Sequence, residues 1–222
     1  MPRAPRVCVG GIVYHVMNRA NARVPIFEAE GDYRAFLGIM AEAHEKVDMR
    51  LLTYCIMPNH WHMVLWPPAD DDLSRFMQWL TVTHAHRWQA FRDVIGFGHV
   101  YQGRFKSFPV EDDRHYLTVC RYVERNALRA GLVKRAEDWP WSSAHQRAQA
   151  PAKGFPPLAE GPLPLPGNWI DLLNEAQPRK DEDAIRASIQ RGRPFGGESW
   201  SIAVARQLKL TSTLRPRGRP PV

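Results

Sequence analysis

Ile56-Met57-Pro58-Asn59-His60-Trp61-His62-Met63-Val64-Leu65-Trp66 is the stretch on which the reading of this chain turns. The residues around the two histidines are apolar and β-prone, which predicts a buried strand over 60–66. Side chains on a strand alternate between its faces. His60 and His62 therefore project from one face, and Trp61 and Met63 from the other. Two imidazoles on one face of an apolar strand need polar partners there. A metal ion satisfies both at once, since neutral imidazole is a common ligand. Two hydrogen-bonded structural histidines satisfy the same demand, and His-x-His alone does not choose between them.

Working outward, Pro58-Asn59 separates this strand from a second over Arg50 to Met57, and Pro67-Pro68 ends it. Upstream, Gly11 to Met17 is β-prone and reads as the first strand. Residues 30–47 carry Tyr33, Phe36, Leu37, Met40 and Ala41 at helical spacing. Downstream, Asp70-Asp71-Asp72 gives an acidic start to a helix over 73–92, with Phe76, Trp79, Leu80, Thr83 and Trp88 along its apolar side. Gly96-Phe97-Gly98 reads as a loop, Arg104 to Val110 as a fourth strand, and 112–130 as a helix closed by Gly131. The order β-α-β-β-α-β-α predicts an α+β fold, an antiparallel sheet of ferredoxin-like type with helices on one face.

The 222 residues are 44% hydrophobic and include eight tryptophans, the composition of a folded chain rather than a disordered one. No apolar run is long enough to span a bilayer and no signal pattern opens the chain, so the expectation is a soluble cytoplasmic protein. Cys8, Cys55 and Cys120 form no Cys-x-x-Cys motif and read as reduced structural thiols. The net charge of +7 is unevenly placed: residues 177–222 carry ten Lys/Arg against four Asp/Glu, and residues 1–176 twenty against nineteen. A basic tail suits a polyanion such as nucleic acid, although a tail that is merely solvated has the same composition. Residues 150–168 hold six prolines and three glycines, marking a linker or an extended wrap. Helices are expected over about 180–191 and 199–209. The organisation expected is a body over 1–149, a Pro-rich linker over 150–176 and a basic C-terminal extension over 177–222.

The helix over 112–130 places Tyr122 and Asn126 four residues apart on one face. Tyr122 offers a phenol able to act as a nucleophile, and Asn126 a carbonyl oxygen suited to a divalent cation. Each also has an ordinary reading, a core tyrosine and a helix-end asparagine. Together with His60 and His62 they suggest a site of two nitrogens and one amide oxygen, with open positions for a phosphate oxygen. Such a set fits Mg²⁺, Mn²⁺ or Zn²⁺, and the lack of a thiolate or third histidine favours Mg²⁺ or Mn²⁺ over a structural zinc. Arg104 and Lys106, two apart on the expected fourth strand, are candidate phosphate contacts. In the tail, Arg215, Arg217 and Arg219 are further candidates, and Arg217-Gly218-Arg219-Pro220 resembles the core of a minor-groove hook.

The chain also resembles a known family, the single-tyrosine HUH transposases of bacterial insertion sequences, in particular their REP-associated branch. The motifs that carry the resemblance are Tyr14-His15-Val16-Met17-Asn18-Arg19, Met57-Pro58-Asn59-His60-Trp61-His62, Gly103-Arg104-Phe105-Lys106-Ser107, Tyr122 to Val133, and Trp139-Pro140-Trp141-Ser142-Ser143. The tail segments Gly192-Arg193-Pro194-Phe195-Gly196 and Thr213 to Pro220 resemble this branch too. The resemblance implies that His60, His62 and Asn126 hold a divalent metal and that Tyr122 is the nucleophile, with Tyr116 and Tyr101 ranked below it. It implies cleavage and rejoining of single-stranded DNA at REP hairpins through a 5′-phosphotyrosine, by a monomer associated with the nucleoid. The family's usual Asn-Pro-Val is here Asn126-Ala127-Leu128, a departure that removes no reactive group. A binding-only relative and an unrelated metallohydrolase are the competing readings.

Overall fold

In the computed structural model, which describes residues 7–96, 98–149 and 154–215, four strands form one antiparallel sheet. They are β1 (Val13–Arg19), β2 (Arg50–Met57), β3 (His60–Trp66) and β4 (Lys106–Val110), in the order β2-β3-β1-β4. Helix α1 (Glu30–Lys46) joins β1 to β2, and α2 (Asp72–Phe91) joins β3 to β4. This is the expected α+β, ferredoxin-like arrangement. Strand β2 ends, and β3 begins and ends, where the proline punctuation placed them.

Register fixes which side chains share a face. Arg19 pairs with His60, Met17 with both His62 and Lys106, and His15 with both Val64 and Phe108. Directly opposed residues lie on the same side of a pleated pair. One face therefore carries His15, Met17 and Arg19 beside His60, His62 and Lys106. The other carries Tyr14, Val16, Trp61, Met63 and Leu65, which pack with Phe36, Leu37 and Met40 of α1 and Phe76, Met77 and Leu80 of α2.

The helices do not keep to one face as expected. Val13, Leu52, Cys55, Val64, Phe108 and Val110 form a second core with Tyr116, Val119, Cys120 and Val123 of α3 (Arg114–Glu124). The reason is visible in β2 and β3, where both alternating sets of residues are apolar, so both faces must be covered. Asp113 caps α3, its carboxylate accepting from the His115 amide at 2.7 Å.

Two more expectations are corrected. The helix over 112–130 is interrupted at Arg125 and resumes as α4 (Asn126–Arg129), ending at Gly131 with φ of +71°. At the break the buried Arg125 guanidinium donates to the Leu173 carbonyl. The fourth strand begins at Lys106, so Arg104 lies in the preceding bend rather than on the strand.

Beyond α5 (Ser143–Ala148), the Pro-rich chain runs as an extended wrap, with the Ala159 amide donating to the Leu51 carbonyl at 2.8 Å. Within the stretch read as linker lies a helix, α6 (Trp169–Asn174). The expected C-terminal helices are α7 (Arg179–Arg191) and α8 (Glu198–Gln207). Phe195 bridges to Val110 at the β4 edge.

These outer pieces converge on Glu124, which is fully buried. Its carboxylate accepts from Thr53 of β2 (2.8 Å), Ser143 (2.5 Å) and Arg147 (3.2 Å) of α5, and the Trp169 indole of α6 (2.6 Å). Removing a buried carboxylate from such a set leaves its donors unsatisfied. Glu124→Ala is expected to lose about 3–5 kcal/mol of stability and Trp169→Phe about 1.5–3 kcal/mol, both measured by urea unfolding.

Candidate active site

Strand β3 sets His60 and His62 side by side, their ring centroids 5.1 Å apart. Helix α3 crosses the same sheet face and brings the Tyr122 ring to 6.1 Å from that of His62. Asn126 opens α4, just past the Arg125 break. All four residues line one cleft of about 590 Å³, with Met17, Asn18 and Arg19 of β1, the loop Gln102–Phe105, Lys106 of β4, Arg129, and Arg186, Ile189 and Gln190 of α7. Five of these sixteen residues are Arg or Lys and none is acidic, so the cleft is built for an anion.

Each histidine is oriented through its δ nitrogen. His60 Nδ1 lies 2.7 Å from Asn59 Oδ1, an acceptor, so Nδ1 carries the proton and Nε2 the lone pair. His62 Nδ1 lies 2.9 Å from His15 Nε2. When His62 donates in that bond, its Nε2 is likewise unprotonated. His15 is fully buried and stacked on Phe108 at 4.7 Å.

Burial holds the imidazoles neutral. It lowers His60 to about 4, helped by the charges of Arg19 and Arg129, and His15 to about 3. His62 is driven well below its ordinary value by burial first, then by its histidine neighbours, Arg129 and Arg19. Neutral imidazole is the state that binds metal.

These residues fit a divalent cation: two neutral imidazoles with their δ nitrogens engaged, and beside them the buried Asn126 amide, whose oxygen is the ligand atom. Asn126 Oδ1 accepts from the Arg129 guanidinium at 3.1 Å, which uses one of its two lone pairs. The same guanidinium lies 4.0 Å from the Tyr122 ring centroid.

The rival tyrosines lie elsewhere. The Tyr101 hydroxyl accepts from the Trp61 indole at 3.1 Å and meets His84 Nδ1 at 2.7 Å, behind the sheet. Tyr116 is buried in the second core and lines a separate cavity under the Pro-rich wrap. Burial raises both phenols far above their ordinary value.

Among the expected DNA contacts, Arg104 and Lys106 line the cleft. Arg215 does not; its carbonyl accepts from Arg191. Arg217 and Arg219 lie outside the described residues. Sequence reasoning missed Arg19, Gln102, Arg129, Arg186 and Gln190. Arg19 was legible, since strand alternation from β1 places it beside His60. Arg186 was not, because nothing local says that α7 packs against α3 and β4.

Glu111, Asp113 and His115 form a second group of ligand-type residues, their atoms within 4.8 Å of one another. Internal contacts account for it: Asp113 caps α3 and meets His115 Nδ1 at 2.7 Å, while Glu111 accepts from the Gly197 amide at 2.6 Å. No helix among the described residues is long and apolar enough to cross a membrane.

Comparison with known proteins places these features in context. The family model described as "Transposase IS200 like" matches residues 8–126. A REP-associated tyrosine transposase of Escherichia coli (strain K12) is 23% identical over 151 residues, 67% of this chain and 84% of that protein. A putative REP-associated tyrosine transposase of Haemophilus influenzae (strain ATCC 51907 / DSM 11121 / KW20 / Rd) is 24% identical over 115 residues, 48% of this chain and 65% of that protein. The solved structure of a REP-associated tyrosine transposase bound to a REP hairpin aligns with a TM-score of 0.56 at 19% identity, covering 71% of this chain and 89% of that one. At that identity it supports the fold alone.

The neutral histidines make stability depend on pH. His84, on the opposite face, is lowered to about 3, chiefly by burial. The unfolded chain takes up these protons near pH 6.5 and the native state only near 3–4. Stability is thus complete above 6.5 and is lost as pH falls toward 4. Urea midpoints should drop over that window, and His84→Gln, which keeps an acceptor for Tyr101, should make the drop shallower.

Proposed function

Because this chain belongs to the IS200-like transposase family, we propose that it is a metal-dependent strand transferase that cleaves and rejoins single-stranded DNA at REP-type hairpins. The observation that carries this reading is the single cleft shared by His60, His62, Tyr122 and Asn126, ringed by five cations and free of acidic residues. A cleft without carboxylates suits a substrate that brings its own negative charge, as a phosphodiester does. The Escherichia coli relative, named a REP-associated tyrosine transposase, supports REP DNA as the substrate class, and the fold is one that accommodates a REP hairpin in the hairpin-bound neighbour.

In this reading His60, His62 and Asn126 hold Mg²⁺ or Mn²⁺, which would supply Lewis-acid polarisation of the scissile phosphodiester. His15 and Asn59 keep the two imidazoles oriented and their ε nitrogens unprotonated. Arg19, Arg104, Lys106 and Arg186 hold the strand's phosphates across the cleft. The Tyr122 oxygen attacks phosphorus, forming the tyrosyl–phosphate bond as the bond to the 3′ oxygen breaks. The phenol proton leaves to solvent and the 3′ oxygen is released as a hydroxyl. The resulting 5′-phosphotyrosine keeps the energy of the broken ester, so another 3′-hydroxyl can reverse the step and join strands. The body over 1–149 would carry the chemistry. The extension over 177–222, including Arg215, Arg217 and Arg219, would contact the hairpin stem, with α7 reaching back to the cleft. A monomer associated with the nucleoid in the cytoplasm is the setting this reading implies.

Tyr122→Phe is expected to abolish the covalent protein–DNA adduct seen on denaturing gels with a REP-like oligonucleotide and Mn²⁺, while hairpin binding persists. An adduct from that variant would overturn the assignment, and tight binding by the wild-type chain with no cleavage product would point to a binding-only protein. Hairpin affinity should fall with salt. Lys106→Ala should reduce the log–log slope by about 0.7–0.9, one phosphate contact, as measured by fluorescence anisotropy.

A further inference from the structure

Arg129 makes two contacts that bear on the site at once. One guanidinium nitrogen donates to Asn126 Oδ1 at 3.1 Å, and the guanidinium lies over the Tyr122 ring at 4.0 Å. A longer contact of 3.5 Å reaches the Tyr122 carbonyl. The residue is only partly buried and lines the cleft, so its side chain has room to move. A guanidinium and a divalent cation on one amide oxygen would be two positive charges at hydrogen-bond scale, and no carboxylate lines the cleft to offset them. The Arg129 charge is already felt at both imidazoles, where it disfavours added positive charge.

We propose that Arg129 is an exchange residue. With the cleft empty it rests on Asn126 and Tyr122; when the metal takes Asn126 Oδ1, Arg129 is displaced and turns its guanidinium to a phosphate of the bound strand. This rests on the metal-site reading above and adds to it a residue that works against the metal and for the DNA. The exchange makes chemical sense for Arg: its planar fork matches phosphate better than a single amide oxygen. It also couples the ligands. Phosphate draws Arg129 away from Asn126, so DNA should favour metal binding, and metal should favour DNA by the same factor.

The test measures the two ligands separately. Mn²⁺ alone is titrated into the full-length protein and followed by paramagnetic broadening of the histidine ring protons. A single-stranded REP-like oligonucleotide is titrated in metal-free buffer and followed by anisotropy. Arg129→Ala should bind Mn²⁺ more tightly, on the order of tenfold, and bind the oligonucleotide several-fold more weakly. Arg129→Lys, which keeps the charge, should stay within about twofold of wild type for Mn²⁺. Should Arg129→Ala fold poorly, Arg129→Met keeps the aliphatic stem over Tyr122 and is expected to show the same opposite signs. A merely structural role for Arg129 would weaken both ligands together, and that result overturns the proposal while leaving the metal site standing. His60→Ala serves as the separate control: if it binds Mn²⁺ as well as wild type does, or if wild type shows no binding, the metal-site reading fails and the proposal with it.

Discussion

A single buried carboxylate holds helix α3 where it is. Glu124 lies two residues after Tyr122 and two before Asn126, about half a helical turn from each. An isolated buried carboxylate is very costly. Here the cost is offset by four donors drawn from β2, α5 and α6. Because those donors come from separate elements, Glu124 can be satisfied only when the sheet, α5 and α6 are all in place. The break at Arg125 is anchored in the same region, by that residue's bond to the Leu173 carbonyl. The Pro-rich wrap and α6 are therefore part of what aims Tyr122 and Asn126 into the cleft.

The electrostatics of the cleft follow from histidines buried on a sheet face that is apolar where it meets α3 and cationic at Arg19 and Lys106. Burial strips the histidines of their charge. The cations stand at the rim or reach in from Arg129 and Arg186. Arg186 pairs with Glu182 and Asp183 on its own helix, but no acidic side chain is among the residues that line the cleft, so a polyanion suits it. The imidazoles, kept neutral by the same burial, are left as nitrogen donors. The neutrality of both imidazoles thus has one leading physical cause, the burial of the face that His60 and His62 share.

Much of this was legible locally. Pro58-Asn59 and Pro67-Pro68 fixed the end of β2 and both ends of β3, because proline cannot donate to a ladder. Alternation put His60 and His62 on one face, and it also placed Arg19 there once β1 was paired with β3 in its observed register. The coverage of both sheet faces was readable in β3, where His62 and Val64 on one side are as buried as Trp61 and Met63 on the other, yet the helix count suggested a single layer. The interruption at Arg125 carried no local mark. Neither glycine nor proline occurs there, and the side chain that anchors it finds its acceptor 48 residues later.

The sequence by itself determined the strands, the order of elements and the chemical types of the four candidate site residues, because these depend on period, punctuation and side-chain chemistry along a few neighbouring residues. Only the tertiary structure decided that His15 supports His62, that Arg129 sits on Asn126 and Tyr122, that Arg186 enters the cleft from α7, and that Tyr101 and Tyr116 lie outside it. Those outcomes depend on contacts between elements far apart in the chain. Their geometry is set by sheet register and by the need to satisfy buried polar groups such as Glu124, conditions that no single segment can express alone.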